Sequence, residues 1–398
     1  MKQFLEGAAA IGRTVALCRP GVICAYPITP QTHIVEELAT IVANGELNAE
    51  FINVESEHSA ASCVLGAIAT GVRAYSSTSS QGLLLMAEVL FNIAGLRLPV
   101  VMCCVNRAVS APINIWNDQQ DIMVLRDAGI ILLFAEDIQE ACDLHIQAFK
   151  IAEDHSVMLP VIVNIDGFIL SHGHEPVELP DQQLVDKFLP RYSPLYKLDP
   201  SNPMTFGALV GPEWYLETRY AIQQTMNNEV KKKIKDVSEE FTNLFNRTSF
   251  GLYEKYQIDD AETAYVTFGS IAGPIKDAVD ELRVKGEKVG LLRIICYRPF
   301  PQEEVAKILS RLKKIIVVEK DVSLGATGAL YQDVVTSLYI ELQKGNGKNT
   351  PKVTGYICGL GGRDVSIDDI EELYYTGELV SSKFVSVKEE NLGNFLMK

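Results

Sequence analysis

The chain has 398 residues, 47% of them hydrophobic and 22% charged, with a formal net charge of -15. That length accommodates two or three domains with sizeable cores, and the composition is that of a folded globular protein, which sets disorder and low complexity aside. The acidic balance repels phosphate backbones and argues against nucleic acid as a partner; the one basic tract, KKKIK at Lys231–Lys235, reads as the solvated face of a helix rich in both signs.

The N-terminal stretch MKQFLEGAAAIGRTVALC is interrupted by Glu6 and Arg13 and followed by no cleavage pattern, so it reads as a first amphipathic helix and not as a signal peptide. From Val22 to Ile165, β-branched runs alternate with helical patterns: VICAY, FINV, RAYSS, PVVMCCV, IILLF and LPVIVNI. Runs such as VVMCCV are apolar without alternation, as in strands buried on both faces of a parallel sheet covered by helices. Ile34, Leu38, Ile41 and Val42 mark one face of an intervening helix. This predicts a doubly wound α/β domain over 1–175. Residues 176–260 break the pattern with proline-bearing polar stretches and a long charged helical run from Glu213 to about Asn246, which reads as a connector lying across a partner. Strand and helix alternation resumes over 261–398 with AYVTF, VGLLRII, KIIVVE and KVTGYIC, a second α/β domain and tail. No window approaches the roughly 18 uninterrupted apolar residues of a spanning helix, so no membrane association and a cytoplasmic location are expected. The eight cysteines include no C-x-x-C, so neither zinc nor an iron–sulfur cluster has its usual ligand spacing here, and reduced core thiols are expected.

Four segments carry candidate chemistry, each after a strand. In YPITPQT from Tyr26, Thr29 reads as a helix N-cap with Pro30 at the first helical position; the same strand-to-helix junction is also where doubly wound sheets bind anionic ligands. In VESEHSA, Glu55 suits the helix dipole, Glu57 becomes a buried carboxylate needing a partner if the small-residue helix packs closely, and His58 reads as structural. SSTSSQG from Ser76 forms either a polar wall around a ring or a turn. Arg107, after the most apolar strand, has a planar fork suited to a carboxylate, either a ligand's or that of a structural ion pair.

YPITPQT, ESEH, SSQG-LLLMAEVL, VNRA-SAP-NIW and IDGF-LSH run in order from Tyr26 to His172, and DPSNPMTFG at Asp199 and RPFP at Arg298 continue the series. Together they resemble the α subunit of the pyruvate:ferredoxin oxidoreductases, within the 2-oxoacid:ferredoxin oxidoreductase family, over nearly the whole chain. The resemblance implies a thiamine pyrimidine-binding domain followed by a transketolase C-terminal-like domain. It implies that Glu57 hydrogen-bonds the pyrimidine of thiamine diphosphate and promotes its imino tautomer. Thr29 and Arg107 would contact the 2-oxoacid, and Gln81 with its serine neighbours would line the pocket. The reaction implied is CoA-dependent oxidative decarboxylation of pyruvate to acetyl-CoA and CO2, with electrons passed through iron–sulfur clusters to ferredoxin.

This chain has no GDG motif, and its DGF at Asp166 is no substitute. The resemblance therefore assigns the diphosphate and magnesium ligands to a β subunit, and the clusters to partner chains including γ/δ-type subunits. Gln119, in NDQQD, stands where the family pattern has histidine, which bears on the substrate and not on the cofactor. Relatives that use oxalate carry arginine in place of the motif threonine, so Thr29 argues against a second substrate carboxylate. Two other readings stay open: an oxidoreductase for a branched-chain, aromatic or longer 2-oxoacid, and a non-catalytic scaffold in which Glu57 and Arg107 are structural.

Overall fold

The computed structural model describes residues 2–345 and 350–394. The chain divides into two compact units: unit 1 comprises Met1–Glu254, Phe268–Ser270 and Ile294–Pro301, and unit 2 comprises Lys255–Thr267, Ile271–Arg293 and Gln302–Lys398.

Unit 1 is built from β1 (Gln3–Glu6), α1 (Gly7–Leu17), β2 (Val22–Ala25), α2 (Thr32–Ala43), β3 (Glu50–Asn53), α3 (Glu57–Ala69), β4 (Ala74–Thr78), α4 (Ser80–Gly95), β5 (Val101–Asn106), α5 (Gln120–Met123), β6 (Ile131–Phe134), α6 (Ile138–Ala152), β7 (Val161–Asp166), β8 (His174–Val177), α7 (Gln182–Phe188), α8 (Pro212–Gln224) and α9 (Lys231–Phe245). Six parallel strands lie in the order β6-β7-β5-β4-β2-β3, with the short strand Cys296–Arg298 added antiparallel beside β6. Every residue of β4, β5, β6 and β7 is buried, and in β5 and β6 this is written as a run of apolar residues. Along β5, Val101, Cys103 and Val105 share one core with residues of α1, α2, α6 and α9, and the pleat turns Met102 and Cys104 to the opposite face. The order of the chain reverses at β2, where β3 adds on one side and β4 on the other; ligands of doubly wound sheets bind outside the strand ends at such a point.

The N-terminal expectation needs correction. Residues 3–6 are a strand, paired antiparallel with β8, and the helix starts only at Gly7. The charged run is one continuous helical stretch, α8 and α9 joined by a π-helical turn at Thr225–Val230, and it ends at Asn246 in the left-handed conformation that closes many helices. Ile234, Val237, Phe241 and Phe245 bury its inner face, with Phe188 edge-on against the two phenylalanines.

Unit 2 carries a six-stranded sheet built from β9 (Tyr253–Tyr256), β10 (Thr263–Thr267), β11 (Val289–Ile294), β13 (Lys314–Glu319), β14 (Lys352–Ile357) and β15 (Lys383–Phe384), where β12 denotes the Cys296–Arg298 strand of unit 1. Its order is β15-β14-β13-β10-β11-β9. Helices α10 (Ala272–Val284), α11 (Gln302–Leu309), α12 (Ala329–Gln343) and α13 (Ile367–Tyr375) complete it. Tyr265, Ile275, Val279, Ile316, Val318 and Ile370 form its core. All eight cysteines are free thiols and seven are buried; burial pushes Cys18, for example, up to about 12. No helix among the described residues is long and apolar enough to cross a membrane.

Candidate active site

The segments singled out in the sequence meet at the C-terminal ends of β2, β3, β4 and β5. After β2, residues 28–31 do not enter a helix. They form a turn closed by the Gln31 N–H to the Ile28 carbonyl (2.8 Å), with a cis Thr29-Pro30 bond. The expectation that Thr29 caps α2 is therefore wrong: the cap position is Gln31. Gln31 is fully buried; its Oε1 accepts from the Ile28 N–H (3.2 Å), and its Nε2 donates to the Ser77 carbonyl (2.9 Å) and hydroxyl (2.6 Å) of β4. These bonds tie the turn to the sheet and leave Thr29 exposed at its tip.

After β3, Ser56 caps α3 by accepting from the Ser59 N–H, and Glu55 accepts from the Ser59 hydroxyl, which holds its carboxyl below the usual range. Glu57 opens the helix with only 8% of its surface exposed, yet among the described residues its carboxylate has no hydrogen-bond partner. α4 presses on it: a Cβ on Gly82 would lie 2.6 Å from a Glu57 carboxylate oxygen and 2.6 Å from the Thr78 hydroxyl. Only glycine allows this approach. A buried carboxylate without a partner is costly, so the position is suited to a ligand that donates a hydrogen bond to it.

After β4 the serines are neither a simple turn nor a free wall. Ser79 donates to the Val105 carbonyl (2.7 Å) and Ser80 to that of Ala108 (2.6 Å), tying the start of α4 to the segment after β5. Gln81 bridges the same two segments: its Nε2 donates to the Ser110 hydroxyl and its Oε1 accepts from Arg107 (3.3 Å).

Arg107 is 6% exposed. Its side chain donates to the carbonyls of Thr29 (2.8 Å) and Asn114 (3.3 Å) and to Gln81, all of them neutral, and no carboxylate pairs with the guanidinium among the described residues. The structural ion-pair reading of Arg107 thus has no carboxylate partner among the described residues. Burial lowers its pKa, while the nearby Asp121 charge opposes that shift. A desolvated cation with spare N–H donors is equipped to take a carboxylate.

Two residues that sequence reasoning missed organise these strand ends. Asp121 is fully buried; one of its oxygens accepts the Ser80 N–H (2.9 Å) and the Arg107 N–H (3.0 Å), and the other accepts Asn106 Nδ2 (2.9 Å) and the Ile122 N–H (2.8 Å). Burial nevertheless pushes its carboxyl up to about 6. Gly82 was visible only as part of a motif. Gln119, the departure from the family pattern, is buried and donates to Asp166 Oδ1 (2.7 Å), whose other oxygen accepts from Ser270; it bonds to neither Arg107 nor Glu57.

Residues 13–239 match the family model for pyruvate flavodoxin/ferredoxin oxidoreductase, thiamine diphosphate-binding, and residues 261–370 match pyruvate:ferredoxin oxidoreductase core domain II. The pyruvate synthase subunit PorA of Methanosarcina barkeri is 47% identical over 98% of this chain and 97% of its own length. The ketoisovalerate oxidoreductase subunit VorA of Pyrococcus abyssi is 43% identical over 94% and 92%. The fold is similar to that of the 2-oxoglutarate:ferredoxin oxidoreductase of Magnetococcus marinus, with a TM-score of 0.65 at 18% identity over 93% of this chain and 64% of that longer one. The chain belongs to the pyruvate flavodoxin/ferredoxin oxidoreductase family, of which it is a PorA-like member.

Proposed function

We infer that the chain is the α subunit of a pyruvate:ferredoxin oxidoreductase and that it supplies the pyrimidine side and the substrate-orienting side of a thiamine diphosphate site. The observation that carries this reading is the buried, unpartnered Glu57 carboxylate against Gly82, in a domain of the thiamine diphosphate-binding type. The donor set fits the pyrimidine end of the cofactor, for which a carboxylate acceptor and a close glycine are needed. It does not fit the diphosphate end, because the chain has no GDG motif.

When bound, thiamine diphosphate supplies the electron sink for decarboxylating a 2-oxoacid. Glu57 accepts a hydrogen bond from the pyrimidine ring and favours the tautomer whose imine can take a proton. Arg107 orients the carboxylate of the 2-oxoacid with its remaining N–H donors, and the Thr29 turn borders the same space. Gln81 steers the guanidinium and lines the pocket. The residues 1–175 act as the pyrimidine-binding domain, 176–260 as a connector against a partner, and 261–398 as the transketolase C-terminal-like domain. A β subunit holds diphosphate and magnesium, iron–sulfur clusters sit on partner chains including γ/δ-type subunits, and CoA and ferredoxin take the acyl group and the electrons in the cytoplasm.

The test is turnover of the purified complex with pyruvate, CoA and a ferredoxin or viologen acceptor, with and without thiamine diphosphate, alongside a panel of branched-chain, aromatic and dicarboxylic 2-oxoacids. Cofactor-dependent turnover with the highest specificity constant for pyruvate is expected. Turnover independent of the cofactor would remove the function, and a preference for 2-oxoisovalerate would move the substrate to that of the VorA-like relatives.

A further inference from the structure

Outside the residues used above, three potential metal ligands from three separate segments of unit 1 converge. They are Glu6 at the end of β1, His33 in the first turn of α2 and His172 in the turn after β7, and one ligand atom from each lies within 4.8 Å of the others. Backbone contacts build the convergence. The Gly7 N–H donates to the Gly173 carbonyl (3.0 Å) and the Ala8 N–H to that of Ser171 (2.8 Å), laying residues 6–8 along 171–173. A Cβ on Gly7 would collide with the Leu170 carbonyl, so this approach also requires glycine. α1 then packs on α2, with Arg13 bonded to Glu37 (2.8 Å), and sets His33 one turn earlier beside Glu6. His33 Nδ1 lies 2.7 Å from Glu6 Oε1, and the His33 and His172 rings lie 4.7 Å apart between centroids.

A surface His–Glu ion pair alone explains the first contact and stabilises little. It does not by itself account for the second imidazole set beside the first. Nor does it explain why the Nδ1 of His172 is engaged by the Ser171 hydroxyl (2.8 Å). That contact fixes the ring and leaves Nε2 as the free donor, the kind of support by which ligand histidines are held. Two imidazole nitrogens and a carboxylate are a borderline donor set with a fourth position left for water, suited to zinc and its neighbours and not to magnesium or calcium.

We propose that Glu6, His33 and His172 bind one divalent transition-metal ion of the zinc type, fastening β1, α2 and the 167–173 turn together. The consequence reaches the catalytic side of unit 1 through rings. His172 packs on Phe168 (4.5 Å), Phe168 stacks on Trp116 (5.6 Å), and the Trp116 carbonyl accepts the Ala108 N–H (3.1 Å) immediately after Arg107. The ion thus braces the loop that carries the substrate-orienting arginine.

The test uses the purified complex, dialysed against chelator and then given zinc alone. One zinc per copy of this chain should survive gel filtration, and zinc-edge X-ray absorption should show only nitrogen and oxygen neighbours at about 2.0–2.2 Å. Zinc should also raise the melting temperature, because it binds only the folded chain. His33→Ala, on the exposed side of α2, should fold normally, lose at least tenfold in zinc affinity and lose the thermal shift; Glu6→Gln should weaken binding in the same direction. The proposal is overturned if the wild-type complex retains no zinc, if sulfur neighbours appear near about 2.3 Å, or if His33→Ala binds zinc as the wild type does.

Discussion

The two units end a parallel strand beside a helix N-terminus in the same general way and then treat the buried acid there oppositely. In unit 2, β13 ends in Glu319, which is 1% exposed, and its two oxygens accept the Leu330 N–H (2.7 Å) and the Tyr331 N–H (3.0 Å) in the first turn of α12. Burial and the neighbouring Asp321 push the Glu319 carboxyl well above its usual range, and the helix end is closed from within. In unit 1, Glu57 is 8% exposed and among the described residues its carboxylate accepts no hydrogen bond, while the Arg107 side chain donates to neutral groups. A buried acid that accepts backbone N–H groups holds a fold together; one held without partners keeps a place for a ligand. Asp121 is the unit 1 counterpart of Glu319, closing the α4 terminus by accepting the Ser80 and Arg107 N–H groups.

Glu57→Gln tests the open side most severely. The amide fills the same volume beside Gly82 but cannot accept as a carboxylate does, so kcat should fall by about 10²–10⁴-fold, the usual range for losing a general acid–base group. Melting temperature and subunit composition should stay near wild type. Turnover within a factor of two of wild type would show that this acid is structural after all.

Asp121 should reveal the closed side as a pH effect. Its carboxyl is pushed from an ordinary 3.8 to about 6 in the fold, so between those values the folded chain binds more protons than the unfolded one. Stability therefore declines as pH rises through that window, by on the order of 3 kcal/mol for this group alone. Asp121→Asn has no proton to exchange and should flatten that part of the curve. Calorimetric melting of both complexes at closely spaced pH values from 4 to 7 reads the difference, and parallel curves would contradict the assignment.

Arg107→Lys should cost less, about ten- to a hundred-fold in kcat/KM for pyruvate, since charge is kept but the planar fork is lost. Cofactor content should hardly change. A normal specificity constant with a lowered melting temperature would instead make Arg107 a member of the scaffold.

The features that sequence could reveal were those written in local patterns. β5 is buried on both faces and shows it as the apolar run from Val101 to Val105, and α2 shows its face at i, i+4, i+7. β1 was misread because QFLE is only one short strand whose partner, β8, lies about 170 residues away, and no local period records that pairing. Thr29 was misread because the residues that cap a helix also close turns; the choice was made by the Gln31 amide reaching Ser77, a tertiary contact. Asp121 was invisible for the same reason. In NDQQD it looks like any loop acid, and its partners are mostly backbone N–H groups, which leave no trace in side-chain patterns. Glu57 and Arg107 could be named from motif and strand position, but that Glu57 has no hydrogen-bond partner and Arg107 no carboxylate partner among the described residues could not.

The smallest effect is expected where the acid is closed in. Glu319→Gln replaces a carboxyl that burial and Asp321 already push toward its neutral form by a neutral group of the same shape. One amide oxygen can still accept from Leu330 or Tyr331, and the other N–H loses its acceptor, a change of about 1 kcal/mol in stability. A Cβ on Gly328 would collide with the Glu319 carboxylate, so this glycine is what lets a group of that size stand here. Glu319 is not among the residues proposed to hold thiamine diphosphate or pyruvate, so kcat, KM and cofactor content should all match wild type while the melting temperature falls slightly. The decisive measurement is the pair of variants side by side. If Glu319→Gln lost turnover as Glu57→Gln does while its complex still melted normally, satisfaction of the carboxylate would not be what separates a structural acid from a functional one in this chain.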